Sequence, residues 1–73
     1  MKNNKIEVLI IEDDEDINNY IKAILKHNDM SVVQSYNGKE GLMFASSKVP
    51  DIILLDLGLP DMDGIDVLKE IRK

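Results

Sequence analysis

PDIILLDLGLPDMDG, residues 50–64, is the stretch that decides the fold. Ile52, Ile53, Leu54 and Leu55 make an unbroken apolar run of strand length that stops at Asp56. That pattern fits a strand covered on both faces, as in a parallel sheet. Gly58, Pro60 and Gly64 then break the chain into a loop, and Ile65, Leu68 and Ile71 are expected on one side of a closing helix. Upstream, Val8, Leu9, Ile10 and Ile11 repeat the strand pattern and end at Glu12. Ile17, Tyr20, Ile21, Ile24 and Leu25 follow at i, i+3, i+4, i+7 and i+8, the stripe of an amphipathic helix. Asp14 is its expected N-cap, and Glu15 and Asp16 favour its positive end. Asn28 and Asp29 stop that helix, and Ser31 to Tyr36, with β-branched Val32 and Val33, reads as a middle strand. Asn37-Gly38 turns into a second helix, with Leu42 and Ala45 inward and Pro50 closing the segment. Gly38 and Gly41 weaken that helix, each by up to about 1 kcal/mol relative to Ala in a helix interior.

Three strands alternating with three helices imply an α/β protein with a parallel sheet, because right-handed crossovers lay each helix on a sheet face. Strands one and three read as the most buried. With those two as neighbours and strand two outside strand one, the order is 2-1-3, the start of the flavodoxin-like three-layer arrangement. Ligands in such sheets bind beyond the carboxyl ends of the strands, where the strand order reverses. Glu12, Asp13 and Asp14 follow strand one and Asp56 ends strand three, so distant parts of the sequence converge on one acidic pocket.

Composition narrows what that pocket can do. The 73 residues carry 9 basic and 14 acidic side chains for a net charge of −5, with 44% hydrophobic content and no cysteine. Two domains do not fit in this length, and a chain so short buries only about 60% of its unfolded surface. A disulfide framework, a thiolate zinc site and a cysteine nucleophile are excluded, and a cytoplasmic location is the expectation. The start MKNNKIEVLI is basic, but Glu7 interrupts its apolar run and five consecutive acids follow, so a secretory signal is not expected. No segment is long enough to span a bilayer. The acidic balance argues against direct nucleic-acid binding, which needs clustered Lys and Arg. No G-x-x-x-x-G-K loop is present, which removes nucleotide hydrolysis.

Carboxylates held about 4 Å apart repel by about 4 kcal/mol per pair at an effective dielectric near 20. A hard divalent cation offsets that cost, and Mg²⁺ takes one or two carboxylates with water and phosphate oxygens in its octahedral shell. An aspartate beside such a metal is suited to accept a phosphoryl group. Asp14, Glu15 and Asp16 are accounted for as helix-capping acids. Asp56, ending an aliphatic strand directly, has no such capping role.

At these residues the sequence resembles the receiver domain of bacterial two-component response regulators, the CheY-like family. The matching features are V-L-I-I-E-D-D at 8–14 and P-D-I-I-L-L-D-L-G-L-P-D-M-D-G at 50–64. The resemblance covers the whole chain, and residues 1–73 read as the N-terminal portion of such a domain. It implies that Asp56 accepts a phosphoryl group from a sensor histidine kinase, with Asp13 and Asp56 as direct Mg²⁺ ligands. It further implies Glu12 acting through a water and the Gly58 carbonyl as another ligand. The loop wording resembles OmpR-like regulators with a winged-helix DNA-binding domain, so control of transcription is the expected output of the parent protein. No enzyme activity is expected beyond weak self-phosphorylation and autodephosphorylation.

A full receiver resembles five strand-helix units, and three are present here. The family's Thr or Ser after strand four and Lys after strand five have no counterpart among these residues. Strand three would then be an open edge, and such edges invite pairing with another chain. A homodimer or domain-swapped oligomer through that edge is the expected assembly. The competing function is an interaction module that docks to a kinase or another receiver without signalling, independently of Asp56. A haloacid-dehalogenase-type phosphatase is disfavoured because its second motif acid would fall on Gly58. A calcium loop is suggested by Asp61, Asp63, Gly64 and Glu70 but lacks its first ligand, which would be Leu59. Asp61 and Asp63 are therefore read as loop and helix-start residues. His27 is read as a helix-end residue, and Met30, Met43, Met62 and Phe44 as packing or surface groups.

Overall fold

A computed structural model of the chain describes residues 5–73. Residues 1–4, the basic start considered above as a possible signal, lie outside the described residues. The elements run β1 (Glu7–Ile11), α1 (Glu15–His27), β2 (Ser31–Ser35), α2 (Gly38–Lys48), β3 (Ile52–Leu55) and α3 (Gly64–Ile71). The three strands form one parallel sheet in the order β2-β1-β3, as expected. Leu9 stands level with Val33 on one side and Ile53 on the other. The central place of β1 explains its continuous apolar run: Val8, Leu9, Ile10 and Ile11 are all buried, because each face of the strand is covered and each edge is paired.

The side chains of β1 alternate between two environments. Leu9 and Ile11 join Leu59 and Val67 in the core beneath α2 and α3, with Ile53, Leu55 and Leu42 packed around them. Ile10 turns to the opposite face, beside Ile21 of α1 and Leu54 of β3.

Strand β3 departs from the expected burial. Ile52 and Leu54 are 42% and 39% exposed, so β3 is not covered as β1 is. It occupies the sheet edge, and α1 lies over β1 and β2 instead. For the same reason Ile17, Tyr20 and Ile24 of the α1 stripe are exposed, while Ile21 and Leu25 are half-buried. Helix α3 is rotated relative to expectation: Val67 is fully buried and Ile71 packs on the core, whereas Ile65 and Leu68 are exposed. Gly64 fixes that rotation. It lies against the Leu57 main chain, so residues 64, 67 and 71 face inward.

Most of the expected boundaries hold. Asp14 caps α1 by accepting from the Ile17 amide, Asn28 is the C-cap, and Asp29 follows in the left-handed region at φ 62°. Strand β2 ends at Ser35, one residue before the expected Tyr36. Asn37 caps α2 by accepting from Glu40 N at 2.8 Å, and the Glu40 carboxylate accepts from Tyr36 N at 2.8 Å. That reciprocal pair is close to a capping box. Gly41, counted above as a weakness of α2, instead permits its packing. A Cβ there would lie 2.6 Å from Ile11 Cδ1, so only glycine lets the helix come this close to β1.

Candidate metal and phosphoacceptor site

Register builds the site. Ile11 stands level with Leu55, so the residues after them, Glu12 and Asp56, leave the sheet side by side at its carboxyl end. The Asp56 amide donates to Ile11 O at 2.9 Å, and the Glu12 amide donates to Ser35 O at 3.1 Å. These bonds carry the ladder past the last strand residues and aim both side chains the same way. Carboxylate oxygens of Glu12, Asp13 and Asp56 lie within 4.8 Å of one another, with Glu12 and Asp56 half-buried and Asp13 exposed. An apolar groove formed by Ile10, Ile21 and Leu54 runs up to Glu12 and Asp56.

Local hydrogen bonds orient the carboxylates. Gly58 N donates to Asp56 Oδ1 at 3.0 Å, and Asp14 N donates to Glu12 Oε2 at 3.0 Å. The Asp14 amide acts to hold the Glu12 carboxyl down. Desolvation, the charges of Asp56 and Asp13, and a hydrogen bond shared with the Asp56 carboxyl outweigh it, and Glu12 titrates above the ordinary glutamate range. A raised carboxyl among like charges is the electrostatic mark of a site suited to a cation. All three groups are hard oxygen donors, which suits Mg²⁺.

Asp14 stays outside the cluster and serves as the α1 cap. The β3–α3 loop acids are equally accounted for. Asp63 caps α3 by accepting from Ile65 N at 3.0 Å. Asp61 accepts from Gly38 N at 2.6 Å and Lys39 N at 3.0 Å, tying the loop after Asp56 to the first turn of α2. Those two amides, Gly38 foremost, hold the Asp61 carboxyl below the usual aspartate range. Met62 packs on the core and against Gly38, and Met43 is exposed. His27 sits in the last turn of α1.

Sequence reasoning missed Asn18. It is fully buried, and its Nδ2 donates to Glu12 O and to Ser35 O, both at 2.9 Å. Its Oδ1 accepts from Gln34 Nε2 at 3.0 Å. The signal was present: residue 18 shares a helix face with Ile21 and Leu25, so a polar side chain interrupts the buried stripe.

A 2-1-3 parallel sheet with an acidic pair after β1 and an aspartate ending β3 defines a flavodoxin-like signalling domain of the receiver class. The chain belongs to the response regulator receiver domain family, whose model matches residues 8–73. It is 39% identical over 66 residues to the KDP operon transcriptional regulatory protein KdpE of Escherichia coli, covering 90% of this chain and 29% of that protein. It is 44% identical over 68 residues to the transcriptional regulatory protein CiaR of Streptococcus pneumoniae, covering 93% of this chain and 30% of that one. Among solved structures, the BeF3-activated N-terminal receiver domain of Klebsiella pneumoniae RstA superposes with a TM-score of 0.86 at 32% identity, over 90% of this chain and 56% of that chain. The chain thus spans under a third of these two regulators and a little over half of that receiver structure. Among the described residues, no helix is long and apolar enough to cross a membrane.

Proposed function

We propose that the chain is a phosphoacceptor unit in which Asp56 takes a phosphoryl group from a phosphohistidine of a sensor kinase. The observation that carries this reading is the convergence of Glu12, Asp13 and Asp56 within 4.8 Å at the end of the sheet. One carboxylate oxygen of Asp56 attacks phosphorus. The P–N bond to the donor histidine breaks as the P–O bond forms, and the imidazole nitrogen leaves with the electron pair. Mg²⁺, when bound, offsets the negative charge that gathers on the phosphoryl oxygens. Asp13 and Asp56 would hold it directly, Glu12 through a water, and the Gly58 carbonyl would complete the protein's share. The Gly58 amide fixes the Asp56 carboxylate before the donor arrives. RstA, similar to this chain, is described as BeF3-activated, which supports the same site here. In the parent protein the output is control of transcription, as the names of KdpE and CiaR state for those relatives. The location is cytoplasmic, this unit makes no direct contact with nucleic acid, and turnover as an enzyme is confined to weak self-phosphorylation and slow loss of the phosphoryl group.

The test is native mass spectrometry of the 73-residue chain with Mg²⁺ and acetyl phosphate, beside an Asp56→Asn control. One phosphoryl adduct that vanishes in the control is the expected result. An adduct that persists in Asp56→Asn, or a folded chain that takes none, overturns it. The exposure of Ile52 and Leu54 on the edge strand favours a second role, association of two copies along β3 or docking to another receiver. The subunit count from the same spectra reads the association of copies, and that role predicts partner binding unchanged in Asp56→Asn.

A further inference from the structure

We infer that Asn18 is the positioning residue of the acidic site, setting how strictly the site selects Mg²⁺ over Ca²⁺; this rests on the cation reading above. Glu12 and Asp13 belong to the short link between β1 and α1, and a carboxylate on a link is only as well placed as its main chain. The apolar core cannot place that link, because hydrophobic contact is non-directional. Asn18 can. From the first turns of α1 its amide reaches back to the Glu12 carbonyl, the main-chain atom between the two acidic side chains, and to the Ser35 carbonyl at the end of β2. Ser35 O also accepts from Glu12 N at 3.1 Å, so one amide side chain and one carbonyl hold residue 12 from both of its peptide groups.

The amide is itself held. Gln34 Nε2 donates to Asn18 Oδ1 at 3.0 Å and to Asn19 Oδ1 at 2.8 Å, which fixes which way the Asn18 amide faces. Ser35 Oγ donates to Ile10 O at 2.9 Å beneath it. Full burial of Asn18 shields these bonds from competing water. The Asn18 side chain bonds to the Glu12 and Ser35 carbonyls and to Gln34, not to a carboxylate of the site, so its influence reaches the acids through the main chain. Alanine at this position would take the side-chain donor from the Glu12 carbonyl, leave the Ser35 carbonyl with the Glu12 amide alone, and release the link that carries two of the three carboxylates.

The cation pair separates positioning from simple stabilisation. Mg²⁺ demands near-ideal octahedral geometry, whereas Ca²⁺ accepts irregular shells. A loosened site therefore loses Mg²⁺ disproportionately. A residue that merely stabilises the fold lowers both affinities by one common factor, the folded fraction. The experiment is calorimetric titration of the 73-residue chain with MgCl₂ and CaCl₂ separately, for wild type, Asn18→Ala and Gln34→Met, with circular dichroism monitoring the fold. Outer-shell changes typically cost about 10- to 100-fold in metal affinity. Asn18→Ala is expected to lose about tenfold or more for Mg²⁺, with a clearly smaller loss for Ca²⁺. Gln34→Met, which keeps both Asn18 donations but frees the amide to turn, is expected to show the same selectivity change at smaller amplitude. It carries the test if Asn18→Ala does not fold. Equal proportional losses for both cations, or unchanged Mg²⁺ affinity in a folded variant, overturn the inference. A wild-type chain that binds neither cation, or an Asp13→Asn chain that binds both as tightly as wild type, overturns the underlying site reading instead.

Discussion

Gly64→Ala tests whether the loop after Asp56 is as tightly seated as its geometry indicates. A Cβ on residue 64 would meet Leu57 Cα within contact distance, Leu57 Cδ2 at 2.8 Å and Asp56 O at 3.0 Å. The Leu57 side chain is exposed and can turn away, but its Cα and the Asp56 carbonyl are main chain and cannot. Relief thus requires α3 to lift or residues 56–57 to shift. Overpacking of this kind costs about 1–3 kcal/mol, against at most about 1 kcal/mol gained from replacing glycine in a helix. Because two of the three contacts are with main chain, the upper part of that range applies, about 2–3 kcal/mol, and the net expectation is a loss of about 1–2 kcal/mol. With a urea dependence near 1 kcal/mol per molar for so small a chain, the unfolding midpoint falls by about 1–2 M. Gly58→Ala is the matched control in the same loop. Its nearest atom would be Asp56 Oδ1 at 3.7 Å, an ordinary contact, so its stability stays within about 0.5 kcal/mol of wild type. Because relief displaces the Asp56 main chain, Gly64→Ala is also expected to slow Mg²⁺-dependent phosphoryl labelling beyond what its folded fraction explains. A Gly64→Ala chain as stable as Gly58→Ala, or more so, would refute the reasoning.

Gly41→Ala is expected to destabilise through Ile11 Cδ1, and adding Ile11→Val, which removes that atom, should recover part of the loss in a double-mutant cycle by urea unfolding. Leu9→Ala, at a fully buried position of the central strand, should cost about 2–5 kcal/mol, enough to lose most helical dichroism at 25 °C in a chain this small; a cooperative transition near the wild-type midpoint would contradict it. For Asp61 the sign follows from a folded-state carboxyl held below its unfolded value. Its stabilisation is complete above the unfolded aspartate range and is lost as pH falls through the folded one. Asp61→Asn should therefore lower the thermal midpoint at neutral pH and match wild type in strong acid; a constant difference across the range would mean that the two α2 amides do not prefer the charged form.

Element order, strand order and the three converging carboxylates were legible because each rests on a strong local signal. A four-residue aliphatic run ended by an acid has few other readings, and it occurs twice. What the sequence hid depends on neighbours. Apolarity announces that β3 wants cover, and only the sheet order shows Ile52 and Leu54 on an edge. Helical spacing groups Ile65 and Leu68 with Ile71, but the seating of Gly64 on Leu57 turns Val67 inward instead. Propensity counts Gly41 as a cost, and contact with Ile11 makes it the condition for α2 to dock. Asp61 looked like an ordinary loop acid because its partners, the Gly38 and Lys39 amides, lie more than twenty residues away.

The distribution of directional bonds explains how so small a chain holds repelling charges together. The core fixes where the strands and helices lie, but Glu12, Asp13 and Asp56 stand on links beyond the last strand residues. Asn18 holds the first link, the Gly58 amide holds the Asp56 carboxylate, and Asp61 anchors the loop after Asp56 to α2, which itself rests on Ile11 through Gly41. Asp14 and Asp63 cap the helices that begin on either side. Each bond is worth only about 1 kcal/mol net, comparable to one part of the repulsion it must resist. Their effect is therefore collective. They make separation of the carboxylates require that several bonds break at once, so the unfavourable charge stays in place and the cheapest relief left to the folded chain is a cation.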